Sequence, residues 1–227
     1  VTFLGGEVGE TCRTLLTEVD GLEPLAVQTS APTRTILTVA TSGTADQTAF
    51  FDPDPAVTPA EADELIALVE RALSEPDVEA LTLSGSSPSP ATHGVYSELI
   101  SLARARRIPV FLDTYGPAFE AVWGFWPTVV QMNRREAAQL LGVPSVGDDD
   151  VVQLLRDWRR HGVAYGVVTD GPDLIFAQAG DALYQVAPPE IEVVNPIGSG
   201  DSLLAGLVDG WLKKLEPEAV LRRAAAC

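Results

Sequence analysis

One short segment of the sequence combines the residue types that phosphate chemistry needs. Residues 195–202 read Asn-Pro-Ile-Gly-Ser-Gly-Asp-Ser. Glycines on both sides of Ser199 let backbone N–H groups turn toward one point, and a helix beginning near Asp201 adds its positive dipole end there. A carboxylate held ionised among such donors can accept a hydroxyl proton while the preceding backbone stabilises a transferring phosphoryl group. The candidate catalytic residues are therefore Gly198, Ser199, Gly200 and Asp201.

The same segment permits a second interpretation. A turn between a strand and a helix uses glycine for its geometry, and Asp201 would then be an acid that caps the helix. The flanks fit both interpretations, because Glu190 to Val194 predicts a strand and the apolar positions from Leu203 to Leu212 recur with helical spacing.

A second polar cluster follows the apolar run Thr128 to Met132. Asn133 and Glu136 stand three residues apart there. Their side-chain oxygens suit a hard cation such as Mg²⁺. Asparagine at a helix start with glutamate three residues later is also a capping box. Both interpretations can hold at once.

Other candidate positions also follow or open strand-like runs. Ser86 comes after Glu79 to Leu83, and Thr169 and Gly171 come after Val163 to Val168. Small polar turns of this kind are common in α/β proteins. Arg34 opens a β-rich segment, where its guanidinium could grip a phosphate with two parallel donors or simply lie exposed on a strand edge.

The order of these residues resembles a known family. Asn195-Pro196-x-Gly198-x-Gly200-Asp201-x-x-x-Ala205-Gly206 closely resembles the C-terminal signature of the ribokinase-like (PfkB) carbohydrate kinases. The resemblance implies that Asp201 is the catalytic base and that Gly198, Ser199 and Gly200 form an anion hole.

Two further motifs resemble nucleotide-binding parts of this family. Asn133 and Glu136 resemble its Asn-x-x-Glu motif, which implies that they organise Mg²⁺ and the phosphates of ATP. Thr169 and Gly171 stand where the family has a turn near the nucleotide. Gln131 departs from the pattern, because phosphofructokinase relatives usually carry a lysine there.

Two other stretches resemble the 1-phosphofructokinase and tagatose-6-phosphate kinase branch. Ser84-Gly85-Ser86-Ser87-Pro88 implies that Ser86 lies by the sugar, and Thr33-Arg34-Thr35 implies that Arg34 binds a phosphate already on the substrate. The implied reaction transfers the γ-phosphoryl group of ATP to a sugar phosphate hydroxyl.

Three alternatives stay open. The chain could be a non-catalytic sugar- or nucleotide-binding homologue, a kinase for a non-phosphorylated sugar or nucleoside, or an unrelated α/β nucleotide-binding enzyme. Retention of Asp201 counts against the first, and Asn133 with Glu136 at the expected separation counts against the last.

The elements that position these residues alternate along the chain, which predicts a mostly parallel sheet with helices on both faces. Predicted strands are 80–83, 109–112, 128–132, 166–168 and 191–194; predicted helices are 59–73, 95–106, 135–141, 151–161 and 202–214. The resemblance implies a single ribokinase-like domain over residues 1–227, with a small β lid within about 25–51 that turns at Gly43. It also implies an incomplete domain, because Gly5 to Gly9 resembles the second strand and turn of the family and residues 224–227 stop inside a helix.

Composition excludes several classes of protein. A formal net charge of −17 argues against binding nucleic acid or an anionic membrane. No run approaches the roughly 18 apolar residues that span a bilayer, and two isolated cysteines suggest neither a disulfide framework nor a zinc site. We expect a cytosolic enzyme that uses ATP and Mg²⁺ on a small-molecule sugar phosphate, and a homodimer is left open.

Overall fold

The computed structural model of the protein describes residues 1–40, 47–191, 193 and 195–227. These residues form two compact units, Val1–Ser74 with Ser87–Val95 and Glu75–Ser86 with Tyr96–Cys227. The single domain expected over residues 1–227 stays a prediction.

The described residues of the first unit contain four short strands, two α-helices and a 3-10 helix at Pro90–Thr92. In chain order the strands and α-helices are β1 (Thr2–Leu4), α1 (Gly6–Glu18), β2 (Ala26–Gln28), β3 (Ile36–Ala40), β4 (Gln47–Phe51) and α2 (Pro59–Ala72). Strands β1 and β2 pair in parallel, whereas β3 and β4 form an antiparallel pair within the segment predicted as β-rich. The predicted turn residue Gly43 lies outside the described residues.

The glycine-containing segment near the start of the chain differs from its prediction as a strand and turn. The strand ends at Leu4, and Gly6 already begins helix α1 with a positive φ of 64°. Among the described residues, the short β1 pairs with β2 over three residues only, and the segment after Leu4 has no strand partner there.

The second unit is built on a six-stranded sheet in the order β10-β9-β8-β7-β6-β5. Its strands are β5 (Leu81–Ser84), β6 (Val110–Asp113), β7 (Val129–Asn133), β8 (Tyr165–Thr169), β9 (Ile175–Ala179) and β10 (Ala182–Val186). Its helices are α3 (Val95–Ala105, whose first residue belongs to the other unit), α4 (Pro117–Ala121), α5 (Arg134–Leu141), α6 (Asp148–Arg160), α7 (Ser199–Leu212) and α8 (Pro217–Ala225). The predicted parallel pairing is confirmed from β5 to β8, and β9 and β10 add an antiparallel edge that the sequence did not reveal.

Helices cover both faces of this sheet, as predicted. Neighbouring residues of a strand point to opposite faces. The Tyr165 ring of β8 meets the Trp211 ring of α7 at 5.4 Å, while a Cβ placed on Gly166 would lie 2.8 Å from Trp158 of α6. Helices α6 and α7 therefore lie on opposite faces, and glycine at 166 makes the close approach of α6 possible.

The predicted strand over residues 191–194 is wrong for its described part. Ile191 and Val193 lie outside any strand and are largely exposed, and residues 192 and 194 lie outside the described residues. An apolar run becomes a strand only when a neighbour supplies hydrogen bonds, and β10 takes the edge position beside β9 instead. Among the described residues, no helix is both long and apolar enough to cross a membrane.

Candidate active site

Three parallel strands end at the same edge of the sheet, and each ends in a polar residue. Asp113 ends β6, Asn133 ends β7 and Thr169 ends β8. Asn133 pairs in register with Thr169, and Asp113 pairs with Gln131. Since ligands of open α/β sheets bind at the carboxyl ends of the strands, this edge is where a site is expected.

A cavity of about 460 Å³ opens at this edge. Its lining residues are Asp113, Gln131, Asn133, Arg134, Arg135, Glu136, Thr169, Asp170, Gly171, Gly198, Ser199, Gly200 and Asp201. The structure thus brings together all of the candidate catalytic and nucleotide-binding residues from three separate parts of the chain.

The glycine-containing segment forms the start of helix α7. Gly198 is the N-cap residue and has a positive φ of 86°, a conformation that disfavours other residues. Ser199 N donates to Pro196 O at 3.2 Å, whereas the N–H groups of Gly200 and Asp201 have no acceptor among the described residues. These two free donors and the helix dipole make this helix start able to bind an anion.

Asn133 and Glu136 form the capping box at the start of α5. Asn133 Oδ1 accepts from Glu136 N at 2.9 Å, and Glu136 Oε2 accepts from Asn133 N at 2.9 Å. The capping interpretation is therefore confirmed. Glu136 Oε1 has no partner within the described part of the chain, so one carboxylate oxygen remains available to a ligand.

Asp113 is a site residue that sequence reasoning missed. Burial, followed by the negative charges of Glu136 and Asp201, raises the pKa of Asp113 from 3.8 to about 6. The carboxylates of Glu136 and Asp201 therefore lie close enough to Asp113 to disfavour its charged form. The signal was available, because Asp113 directly follows the apolar run predicted as a strand.

Gln131 connects the strand edge to helix α7. Its side chain is 2% exposed, and Nε2 donates to Gly200 O at 3.0 Å and lies 3.4 Å from Asp113 Oδ2. The other polar atom of the amide, Oε1, is buried without a hydrogen-bond partner among the described residues. Gln131 therefore holds the first turn of α7 against β7, a structural role that its sequence position does not reveal.

Ser86 lies outside the lining of this cavity, in the turn that follows β5. That turn is held from three sides: Gly85 N donates to Asp113 O at 3.1 Å, Thr114 Oγ1 donates to Gly85 O at 2.6 Å, and the Tyr96 hydroxyl donates to Ser84 O at 2.7 Å. Ser86 therefore directly follows a residue, Gly85, whose backbone is hydrogen-bonded to the end of β6.

Arg34 belongs to the first unit, after β2 and before β3. Its guanidinium forms an ion pair with Asp54 and lies 5.9 Å from the centre of the Phe51 ring. Both side chains of the ion pair are partly exposed. Arg34 is therefore paired with a carboxylate at a partly exposed position.

The raised pKa of Asp113 predicts how stability depends on pH. A carboxyl whose pKa is higher in the folded state destabilises the fold increasingly as pH rises from about 4 to 6. We expect Asp113→Asn to raise the Tm of the ligand-free protein above pH 7 by ~2–4 °C, which corresponds to about 1 kcal/mol after allowance for solvent screening. The difference should shrink toward pH 4.

Thermal unfolding followed by circular dichroism between pH 4 and 8 measures this difference. Asp173→Asn is the matched control, because Asp173 is exposed and does not line the cavity. A difference between Asp113→Asn and the parent that stays constant over this pH range would contradict the prediction.

The sequence and the fold are similar to those of known proteins. The sequence model of the family described as "pfkB family carbohydrate kinase" matches residues 1–227. The fold is similar to that of Escherichia coli phosphofructokinase-2 in complex with fructose-6-phosphate, with 24% identity, a TM-score of 0.82 and coverage of 99% of this chain and 74% of that one. The tetrameric inhibited form of that enzyme gives a TM-score of 0.85 at 24% identity, with coverage of 99% and 74%.

A third similar structure comes from Thermotoga maritima and is described as a possible 1-phosphofructokinase. It is 24% identical, with a TM-score of 0.87 and coverage of 99% of this chain and 71% of that one. At this level of identity the structural likeness establishes the fold, and the family match establishes the ancestry of the sequence.

Proposed function

Since the chain belongs to the pfkB family of carbohydrate kinases, we propose that it transfers the γ-phosphoryl group of ATP to a hydroxyl of a phosphorylated sugar. One observation carries this proposal: Asp201 lies in the first turn of α7 beside two backbone N–H groups that have no acceptor among the described residues. A base for the hydroxyl and donors for the phosphoryl group are then provided by the same helix start.

In this proposal Asp201 accepts the proton of the attacking hydroxyl. The free N–H groups of Gly200 and Asp201 stabilise the charge on the transferring group, because N–H donors that are already in place need no rearrangement during the reaction. Gly198 and Ser199, predicted with Gly200 to form the anion hole, shape the turn that presents these donors. ATP would supply the phosphoryl group, and Mg²⁺ held by Glu136 and Asn133 would neutralise charge on its phosphates. Thr169 ends β8 and Gly171 follows it in the cavity lining, and we assign both to the nucleotide site.

The residues of the cavity fit a magnesium ion. Burial and then the charges of Glu136 and Asp201 raise the pKa of Asp113. Four carboxylates line the cavity, and a divalent cation would relieve this surplus of negative charge. Among the described residues no cluster of three or more His, Cys, Asp or Glu could chelate a metal. This fits Mg²⁺, which keeps several waters and needs only one or two protein ligands besides phosphates. We assign those roles to Glu136 and Asn133.

Replacing Glu136 separates the metal role from the capping role. Glu136→Gln keeps an oxygen that accepts from Asn133 N but loses the charge that favours Mg²⁺. We expect the Mg²⁺ concentration for half-maximal activity to rise about tenfold, the effect of losing one charge-assisted interaction, while Tm barely changes. Steady-state rates over a magnesium titration, with thermal unfolding, measure both effects.

Glu61→Gln is the control for that experiment. Glu61 forms the same capping box with Thr58 at the start of α2, in the other unit of the chain. Its replacement should leave the magnesium dependence unchanged. If Glu136→Gln lowers Tm and leaves the magnesium dependence where it was, Glu136 only caps the helix.

The class of sugar that accepts the phosphoryl group is tested with the parent protein. ADP formation is measured with ATP, Mg²⁺ and, in turn, fructose 1-phosphate, fructose 6-phosphate, tagatose 6-phosphate, ribose and fructose. We expect a phosphorylated sugar to give the highest kcat/KM, in line with the sugar phosphate bound to the similar Escherichia coli enzyme. Preference for a free sugar would refute the acceptor class, and absence of turnover with all five would favour a non-catalytic binding protein.

We also propose that two copies of the chain associate through the hairpin of β3 and β4. Leu37 and Phe50 pair in register on one face of this two-stranded sheet and are each about 60% exposed, and exposed apolar patches mark interaction surfaces. The tetrameric form of the similar phosphofructokinase-2 supports association of this chain, and the mass of the protein in solution tests it.

A single domain over residues 1–227 is supported by the match of one family model to this whole range. The cytosolic location stays a prediction.

A further inference from the structure

The cavity contains two adjacent arginines with different surroundings. Arg134 lies opposite Asp148 and Asp170, with nitrogen–oxygen distances of 2.9 Å to each, and its guanidinium lies 5.3 Å from the centre of the Phe176 ring. A third contact runs from Nη1 to Val146 O at 3.2 Å. Arg134 is therefore engaged in holding α5, α6 and the turn after β8 together.

Arg135 has no such contacts among the described residues. Neighbouring residues of a helix point about 100° apart, so Arg135 faces away from the partners of Arg134. It is exposed, it lines the cavity, and it makes no ion pair or hydrogen bond with any residue in the described ranges. A guanidinium in this position is available to a ligand.

The cavity lining has more negative than positive side chains. Four carboxylates line it, those of Asp113, Glu136, Asp170 and Asp201. Arg134 offsets Asp170, but Gln131 is neutral and its amide donates to Gly200 O. A nucleotide brings several further negative charges to a chain whose net charge is already −17, so its binding needs a local positive group.

We propose that Arg135 binds a phosphate group of the nucleotide and supplies the positive charge that Gln131 does not. The planar guanidinium suits this role, because two of its parallel donors match two phosphate oxygens. This inference rests on the proposed function, since it takes the cavity to be the nucleotide site.

Binding of ADP and of adenosine, measured by calorimetry in the presence of Mg²⁺, tests the proposal without relying on turnover. We expect Arg135→Gln to weaken ADP binding about tenfold or more, the usual effect of losing a charge-assisted phosphate contact, and to leave adenosine binding unchanged. Arg156→Gln is the matched control, because Arg156 is exposed on α6 and does not line the cavity. It should bind ADP like the parent.

A second variant tests whether a positive charge at position 131 can replace the positive charge of Arg135. Gln131→Lys, introduced into Arg135→Gln, should restore most of the ADP affinity, since an ammonium can still donate to Gly200 O. Failure of this restoration would overturn the inference that Arg135 replaces a charge at position 131.

The remaining outcomes are distinct. Parent-like ADP binding by Arg135→Gln overturns the inference while leaving the proposed function intact. Equal weakening of ADP and adenosine also overturns it, because the loss would then come from the shape of the site. Should the parent bind no ADP at all, both the inference and the assignment of this cavity as the nucleotide site fail.

Discussion

Asp201→Asn is expected to lower kcat about 10²–10⁴-fold, the contribution of a general base. The amide keeps the size and shape of the side chain but cannot accept the hydroxyl proton. The N–H groups of Gly200 and Asp201 stay in place, because the N-cap at Gly198 does not depend on the aspartate side chain. Binding of ADP and Tm should therefore stay close to the parent values.

Turnover with the preferred acceptor at saturating ATP measures this loss. Asp209→Asn is the control on the same helix, since Asp209 pairs with Lys213 and Arg223 away from the cavity. Losing surface pairs costs little stability, about 0–1 kcal/mol, and should not change turnover. A kcat for Asp201→Asn within a few-fold of the parent would refute its assignment as the base.

Arg34→Ala should raise the KM for the phosphorylated sugar by about 10–150-fold, which corresponds to ~1.5–3 kcal/mol for a lost charge-assisted pair. The KM for ATP should stay nearly unchanged. In the ligand-free protein Arg34 pairs with Asp54, so the substrate phosphate would have to replace this carboxylate. Both kinetic constants are measured on the parent and the variant with each sugar.

Asp54→Asn distinguishes substrate binding from a structural ion pair. Removing the competing carboxylate leaves Arg34 freer, so the KM for the sugar phosphate should stay equal or fall. If the pair only stabilises its segment, Asp54→Asn and Arg34→Ala should have the same effect on KM. That result would leave the kinase family in place and remove Arg34 from the phosphate site.

The residues of the phosphate segment were predictable because their chemistry is local. A positive φ at position 198 and donors at a helix start depend on a few neighbouring residues, so Gly198 to Asp201 could be singled out before the fold was known. The capping box of Asn133 and Glu136 is equally local. The family predicted from these residues is confirmed by the match over residues 1–227, and the predicted fold class by the similar solved structures. The roles of the individual residues stay predictions.

The missed elements depend on distant partners. Strands β9 and β10 carry weak patterns, and only their pairing with β8 makes the antiparallel edge. In the predicted strand at 191–194, the two described residues, Ile191 and Val193, have the apolar pattern but lie outside any strand. Strand pairing is decided by contacts between residues far apart in the chain, which a local pattern does not record.

The sequence by itself determined the α/β alternation, the kinase family and the segments that carry the candidate site. Only the tertiary structure decided how the charges in that site are shared. Burial beside Glu136 and Asp201 raises the pKa of Asp113, Gln131 is tied to Gly200, and Arg134 is paired while Arg135 is left open to the cavity. Charge interactions depend on distance and burial in space, and two neighbouring arginines with the same side chain acquire different surroundings only when the helix that carries them is packed against the sheet.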